Sequence, residues 1–300
     1  MSDAINRITG GPTSHFFYSQ RLRLHYVDYG GAGKPLLVLV HGGRDHCRNW
    51  DRVAPTLTDA YHVVAPDLRG HGDSAWAVGS QYSMSDYVLD LAQLLGHFED
   101  PQVTLVGHSL GGNVVLHYAG LYPERVVKVA AIEGLGPPPE MIEEKPVEER
   151  MKEWIDTMRD LSQRTPRPYD DLDEAVTRMR GANPHLSEEM ARHLTVHGTV
   201  RQENGAYTWK FDNYVRAWGP QRYDFDAVKR LWNRISCPVL LVRGAESWAH
   251  DPTKDGRADN FRNVNYVEFA GAGHWVHHDR LDEFMAALLS FLEMTETRGS

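Results

Sequence analysis

The stretch Val103-Thr104-Leu105-Val106-Gly107-His108-Ser109-Leu110-Gly111-Gly112 constrains this chain more than any other. A run typical of a buried strand enters Gly-x-Ser-x-Gly, and a helical pattern carried by Val114, Val115, Tyr118 and Ala119 leaves it. A serine between a strand and a helix sits on a tight, strained turn with its hydroxyl clear of the sheet. Glycine is needed at 107 and 111 because a Cβ there would meet neighbouring backbone. The following helix points its N-terminus at the serine, which favours negative charge developing there. Ser109 is therefore the candidate nucleophile.

The rest of the chain alternates short apolar runs with helical patterns. Leu22–Val27 alternates with period two and predicts an early strand. Pro35–Val40, Tyr61–Asp67, Gln102–Val106, Val126–Ile132, Pro238–Val242 and Tyr266–Phe269 are further strands. Their near-continuous apolar character fits parallel strands covered on both faces. Tyr87, Leu91, Leu94, Leu95 and Phe98 share one helical face, and Ser83 with Asp86 is spaced as a capping box. A last helix spans about Leu281–Leu292, with Phe284, Leu288 and Phe291 inward. This order predicts an α/β fold, a mostly parallel sheet flanked by helices.

The alternation breaks between about Gly134 and Asp226. That segment reads as helices over Val147–Ser162, Asp171–Arg180 and Ser187–His197, then a hairpin over Val200–Phe211 turning at Asn204-Gly205 as type I′. It is too long for a loop and has no sheet-forming run. The expected organisation is a core of residues 1–134 and 226–300, with a helical cap inserted at 135–225.

Composition narrows the function classes. With 32 basic and 41 acidic residues the formal charge is −9, which argues against nucleic acid and anionic membranes as partners. No apolar run approaches a membrane span, so no membrane insertion is expected. Met1–Pro12 is polar, without a signal-peptide apolar region, and the two cysteines, Cys47 and Cys237, lie far apart. Both features point to a reducing, cytoplasmic setting. Cys237 reads as a small buried hydrophobe, and Cys47 lies in a loop near the presumed site. His41, His46 and Cys47 lack metal-ligand spacing, so neither a metal nor another cofactor is expected. The sequence leaves the oligomeric state open.

Four segments carry a resemblance. His41-Gly42-Gly43, Asp67-Leu68-Arg69-Gly70-His71-Gly72-Asp73-Ser74, Gly107–Gly112 and Gly271-Ala272-Gly273-His274-Trp275 each follow a predicted strand in the right order. The chain resembles the α/β-hydrolase superfamily across nearly its full length, which implies an eight-stranded sheet. By that resemblance His274, in a Gly-rich loop after the last strand, is the base that a serine nucleophile needs. The backbone N–H groups of Gly43 and Leu110 would form the oxyanion hole. His41 braces its own loop, His108 packs beside the elbow, and His277 and His278 read as surface or loop residues.

The third member of a triad departs from the usual pattern. The resemblance places an acid three residues after Gly244, where Ser247 stands. Two placements are open. Glu246 or Asp251 serves from a shifted loop, or Glu133 serves from the end of the Val126–Ile132 strand. The second resembles the haloalkane dehalogenase and coelenterazine-luciferase branches. A carboxylate at the tip of a buried apolar strand is costly unless paired, and an imidazolium would pair it. Glu133 is the preferred acid.

Serine rather than aspartate at 109 disfavours dehalogenation, and Gly43-Arg44 lacks the proline of epoxide hydrolases. The expected activity is a serine hydrolase cleaving an ester, lactone or thioester of a small to medium, mostly apolar substrate through an acyl-enzyme. Carbon–carbon hydrolysis of the meta-cleavage type and a low-turnover ligand receptor are the alternatives. Trp248 and Trp275 flank the catalytic loops and are pocket candidates. Trp154, Met158, Met179, Met190, Tyr207, Trp209, Phe211 and Trp218 read mainly as cap core.

Overall fold

The computed structural model describes residues 11–79 and 82–293. Met1–Gly10 and Thr297–Ser300 therefore lie outside the described residues. Eight strands form one sheet: β1 Thr13–Ser19, β2 Leu22–Gly30, β3 Leu36–Val40, β4 His62–Pro66, β5 Val103–His108, β6 Val126–Ile132, β9 Val239–Gly244 and β10 Val264–Phe269. The sheet order is β1-β2-β4-β3-β5-β6-β9-β10. β2 runs antiparallel to β1 and β4, and the other pairs are parallel. β1 has no clear sequence signal because it is an edge strand, with Ser14, His15, Phe16 and Tyr18 exposed.

Residue alternation sorts the core onto both faces. In β3, Leu36, Val38 and Val40 join one cluster, while Leu37 and Leu39 join the other. The first is covered by helices Met84–Leu95, Leu110–Leu121 and Phe225–Trp232, through Tyr87, Leu91, Leu94, Val115, Tyr118 and Trp232. The second is covered by helix Leu281–Glu293, through Phe284, Leu288 and Phe291, together with Trp50 and Leu57. Each such side chain contributes roughly 1.5–3 kcal/mol on burial. The Ser83–Asp86 capping box forms in both directions. Among the described residues no helix is long and apolar enough to cross a membrane.

Residues 133–238 give no strand to this sheet. They carry helices Val147–Ser162, Leu172–Ala182 and Glu188–Gly198 and a separate hairpin of β7 Thr199–Arg201 and β8 Tyr207–Trp209. Asp171 and Ser187 are the N-caps of the second and third helices, accepting from Glu174 and Met190 N–H. The hairpin turn is not type I′. Only Gly205 has positive φ, at 91°, and Gln202 N–H bonds to Ala206 O while Gly205 N–H returns to Gln202 O. That is a turn closed by a glycine bulge, which requires left-handed backbone at one residue rather than two.

Candidate active site

Ser109 occupies strained backbone, φ 50° and ψ −115°, between β5 and helix Leu110–Leu121. Its N–H donates to Ile132 O at 2.7 Å, tying the elbow to the neighbouring strand. A Cβ on Gly107 would lie 2.4 Å from Gly111 O, and one on Gly111 would lie 2.3 Å from Val40 O. Both glycines are thus dictated by backbone packing.

Glu133 directly follows β6, also in left-handed backbone with φ 55°. Its side chain is fully buried. Oε1 accepts from Gly244 N–H at 2.7 Å, and Oε2 accepts from the Ser247 hydroxyl at 2.6 Å. His274 Nδ1 lies 3.1 Å from the same Oε2. A buried carboxylate is tolerable here because three donors converge on it. With Nδ1 donating to the carboxylate, His274 keeps its Nε2 lone pair for a proton. Glu246 is half-exposed, 3.9 Å from His185, and Asp251 is bonded by Thr253 and Lys254. Neither contacts His274.

Two further histidines hold the loops. His108 Nε2–H donates to His274 O at 2.9 Å, so the residue beside Ser109 fixes the loop that carries His274. His41 Nδ1–H donates to Gly42 O at 2.6 Å while its Nε2 accepts from Leu68 N–H at 3.0 Å. That double role needs a neutral ring, and burial pushes His41 down to about 3. Gly43 lies against Leu110, a Cβ on the glycine being 4.0 Å from Leu110 Cβ. Among the described residues neither Gly43 nor Leu110 donates its N–H to another backbone group.

The rim differs from expectation in places. Trp248 lies against His274 with the rings tilted by 32° and their centroids 4.7 Å apart, and is 76% exposed. Trp275 instead packs against the cluster of Val176, Leu186, Met190 and Leu194. Cys47 is buried, and burial pushes its thiol well up. His277 is not a surface residue. It is fully buried, stacks on Trp50 at 4.8 Å and donates from Nε2 to Asn49 Oδ1 at 2.6 Å. His278 packs on it with ring centroids 4.2 Å apart. Among the described residues, His25–Cys47–Asp67, Asp51–His193–His197 and Glu140–His250–Asp255 are close enough to share a metal ion. None includes Ser109, Glu133 or His274. His25 is already paired with Asp67 at 2.7 Å and Asp51 with Arg48 at 2.7 Å.

A family model for the alpha/beta hydrolase fold matches residues 35–281. The chain is similar to epoxide hydrolase A of Mycobacterium tuberculosis, 28% identical over 96% of this chain and 100% of that one. It is 31% identical to lipase LipV of the same organism over 73% of each chain. A solved structure of a hypothetical protein from Pseudomonas aeruginosa superimposes with a TM-score of 0.82, at 26% identity, over 94% of this chain and 99% of that one. With its sheet order, its serine elbow and the length of this match, the chain belongs to the α/β-hydrolase fold family.

Proposed function

We propose that Ser109, His274 and Glu133 act as nucleophile, base and orienting acid, and that this α/β hydrolase cleaves carboxylic esters, lactones or thioesters through an acyl-enzyme. The observation carrying this reading is the 3.1 Å contact of His274 Nδ1 with Glu133, set beside a serine held in strained backbone. Ser109 Oγ attacks the carbonyl carbon as His274 Nε2 takes its proton. Gly43 and Leu110 N–H groups receive the oxyanion. Collapse expels the alcohol or thiol, protonated by His274, and the same nitrogen then activates water to release the acid.

The serine also separates this reading from epoxide opening. An epoxide opened by a hydroxyl leaves a serine ether with no carbonyl for water to attack, so turnover would stop. A carboxylic ester leaves a serine ester, which water can cleave.

Residues 135–225 act as a cap over a core of 1–134 and 226–300. His46 Nε2 bonds to Leu194 O at 2.9 Å, Lys210 pairs with Asp73 at 2.8 Å, and Asp212 N–H donates to Gly70 O at 2.8 Å. Such contacts support a segment seated on the loops that follow β3 and β4.

The test is labelling by a fluorophosphonate and turnover of an ester, lactone and thioester panel, with Ser109→Ala as control. Label on Ser109 and turnover abolished in the variant are expected. Preferred turnover of 1,3-diketones would move the reading to carbon–carbon cleavage. Ligand-induced thermal stabilisation without turnover would make it a receptor.

A further inference from the structure

We infer that Asp51, His193 and His197 form a binding site for a divalent transition-metal ion of the zinc class, joining helix Glu188–Gly198 to the loop after β3. The site includes none of the proposed catalytic residues. It goes beyond the acyl-hydrolase reading and does not depend on it.

His193 and His197 stand one helical turn apart on helix Glu188–Gly198, so both imidazoles leave the same face. Their ring centroids are 4.8 Å apart. Asp51 comes from the short 3-10 helix Cys47–Arg52, which follows β3 in the core. One ring nitrogen from each histidine and one Asp51 oxygen all lie within 4.8 Å of one another. His193 Nε2 lies 3.2 Å from Asp51 Oδ2 and donates to Arg48 O at 3.1 Å. Two ligand atoms on a tetrahedral zinc ion, each bonded at about 2.0–2.1 Å, stand roughly 3.3 Å apart. His193, Asp51 and the Arg48 carbonyl thus already have ligand spacing, around the position of the Nε2 proton. A side-chain rotation that closes 4.8 Å or less to that spacing brings in His197.

His197 sets this cluster apart from a closed set of internal bonds. Among the described residues its ring nitrogens meet no hydrogen-bond partner, and its ring contacts are with His193 and His46, centroids 4.8 and 6.3 Å away. It lies in the last turn of its helix, where the carbonyl end favours a cation. Asp51 is held ready. Its Oδ1 accepts from the Tyr29 hydroxyl at 2.8 Å, and Arg48 Nε reaches its two oxygens at 2.8 and 2.9 Å. Such outer bonds orient a ligand without using all of its lone pairs. The other two clusters differ. His25 has both ring nitrogens engaged, by Asp67 and Ser14, and Asp255 gives both oxygens to Arg257.

The donor set also selects the ion. One carboxylate, its charge already shared with Arg48, offers little to Mg²⁺ or Ca²⁺, which need several oxygen ligands. Two imidazoles suit Zn²⁺, Ni²⁺ and Cu²⁺. The His193 and Asp51 side chains are 27% and 14% exposed, which leaves the ion a path in and a water its remaining position. Binding displaces the His193 Nε2 proton, to solvent or to Nδ1. Two ligands belong to the segment read as the cap and one to the core loop, so the bound ion staples cap to core.

The test titrates tag-free, EDTA-treated protein with ZnCl₂ and MgCl₂ by calorimetry, in the wild type, His197→Gln, the double variant His193→Gln/His197→Gln and the control His250→Gln. One Zn²⁺ per chain with micromolar affinity is expected in the wild type and the control. Binding should be at least about tenfold weaker in His197→Gln and absent in the double variant. Zinc at a hundredfold Kd should raise the melting temperature of the wild type by several degrees, and that of Asp51→Asn by much less at the same concentration. No binding in the wild type overturns the site, and so does binding that survives in the double variant, which puts the ion elsewhere. His197 has no hydrogen bond to lose, so the single variant decides the site even if the double variant does not fold: unchanged affinity there also overturns it. Mg²⁺ binding as tight as Zn²⁺ binding overturns the imidazole ligand set. An equal zinc-induced shift in Asp51→Asn and the wild type overturns the staple. None of these readouts needs ester turnover, so labelling of Ser109 reports on the hydrolase reading separately.

Discussion

Ser247 donates its hydroxyl to Glu133 at 2.6 Å, on the carboxylate oxygen that His274 Nδ1 meets at 3.1 Å. The position that the usual pattern reserves for an acid thus supplies a donor to an acid on another strand. Glu133→Gln should lower kcat/KM on a nitrophenyl ester roughly a hundred- to ten-thousandfold, since it removes the charge that orients and stabilises the imidazolium. Ser247→Ala loses one hydrogen bond to a charged group and should cost about tenfold. Glu246→Gln and Asp251→Asn should stay within about twofold. Retained turnover in Glu133→Gln with loss in Glu246→Gln would reverse the assignment.

Gly111→Ala places a methyl group 2.3 Å from Val40 O, and Gly107→Ala places one 2.4 Å from Gly111 O. The contacts are backbone to backbone, so no side chain can rotate away. Each variant should be destabilised by about 1–3 kcal/mol or more, read as a lower urea midpoint. An unchanged midpoint would mean that the elbow is looser than described.

Trp248 lies on His274 with most of its surface open. Trp248→Ala should therefore leave the melting temperature within about 1 °C. It should raise KM for aromatic esters by up to about tenfold, the worth of one aromatic contact. Acetate esters should change little. A uniform fall in kcat for all esters would instead show that the ring holds His274 in place.

Burial pushes His71 down to about 4, from an ordinary value of 6.5. The unfolded chain therefore takes up a proton between about pH 6.5 and 4 that the folded chain refuses. Stability from this group is present above pH 6.5 and is lost as pH falls towards 4. Between pH 7 and 5.5 the wild type should lose about 1.2 kcal/mol more stability than His71→Gln. Urea unfolding at both pH values reads this difference, and parallel loss in the two proteins would contradict it.

What the sequence made legible was local or strongly patterned. The elbow glycines, the apolar runs of β3 to β6 and the lone carboxylate closing β6 each carry their physical reason within a few residues. Ser109 and Glu133 could be singled out as candidates from such signals, whereas His274, one of 16 histidines, needed the family resemblance. Other features depend on partners distant in the chain. His277 is buried because Asn49 and Trp50 receive it, and Asn49 is 228 residues away. β1 is half-exposed at a sheet edge, which blurs its alternation.

The left-handed backbone at Ser109 and Glu133 has an evolutionary consequence. Glycine fits both positions more comfortably than the residues present. At 109 glycine would only relieve that strain, whereas at 133 it would also strip Gly244 N–H and the Ser247 hydroxyl of their buried acceptor. In a lineage freed from the proposed chemistry the two positions would therefore drift at different rates: the serine would be lost first, and the glutamate would linger as a structural relic.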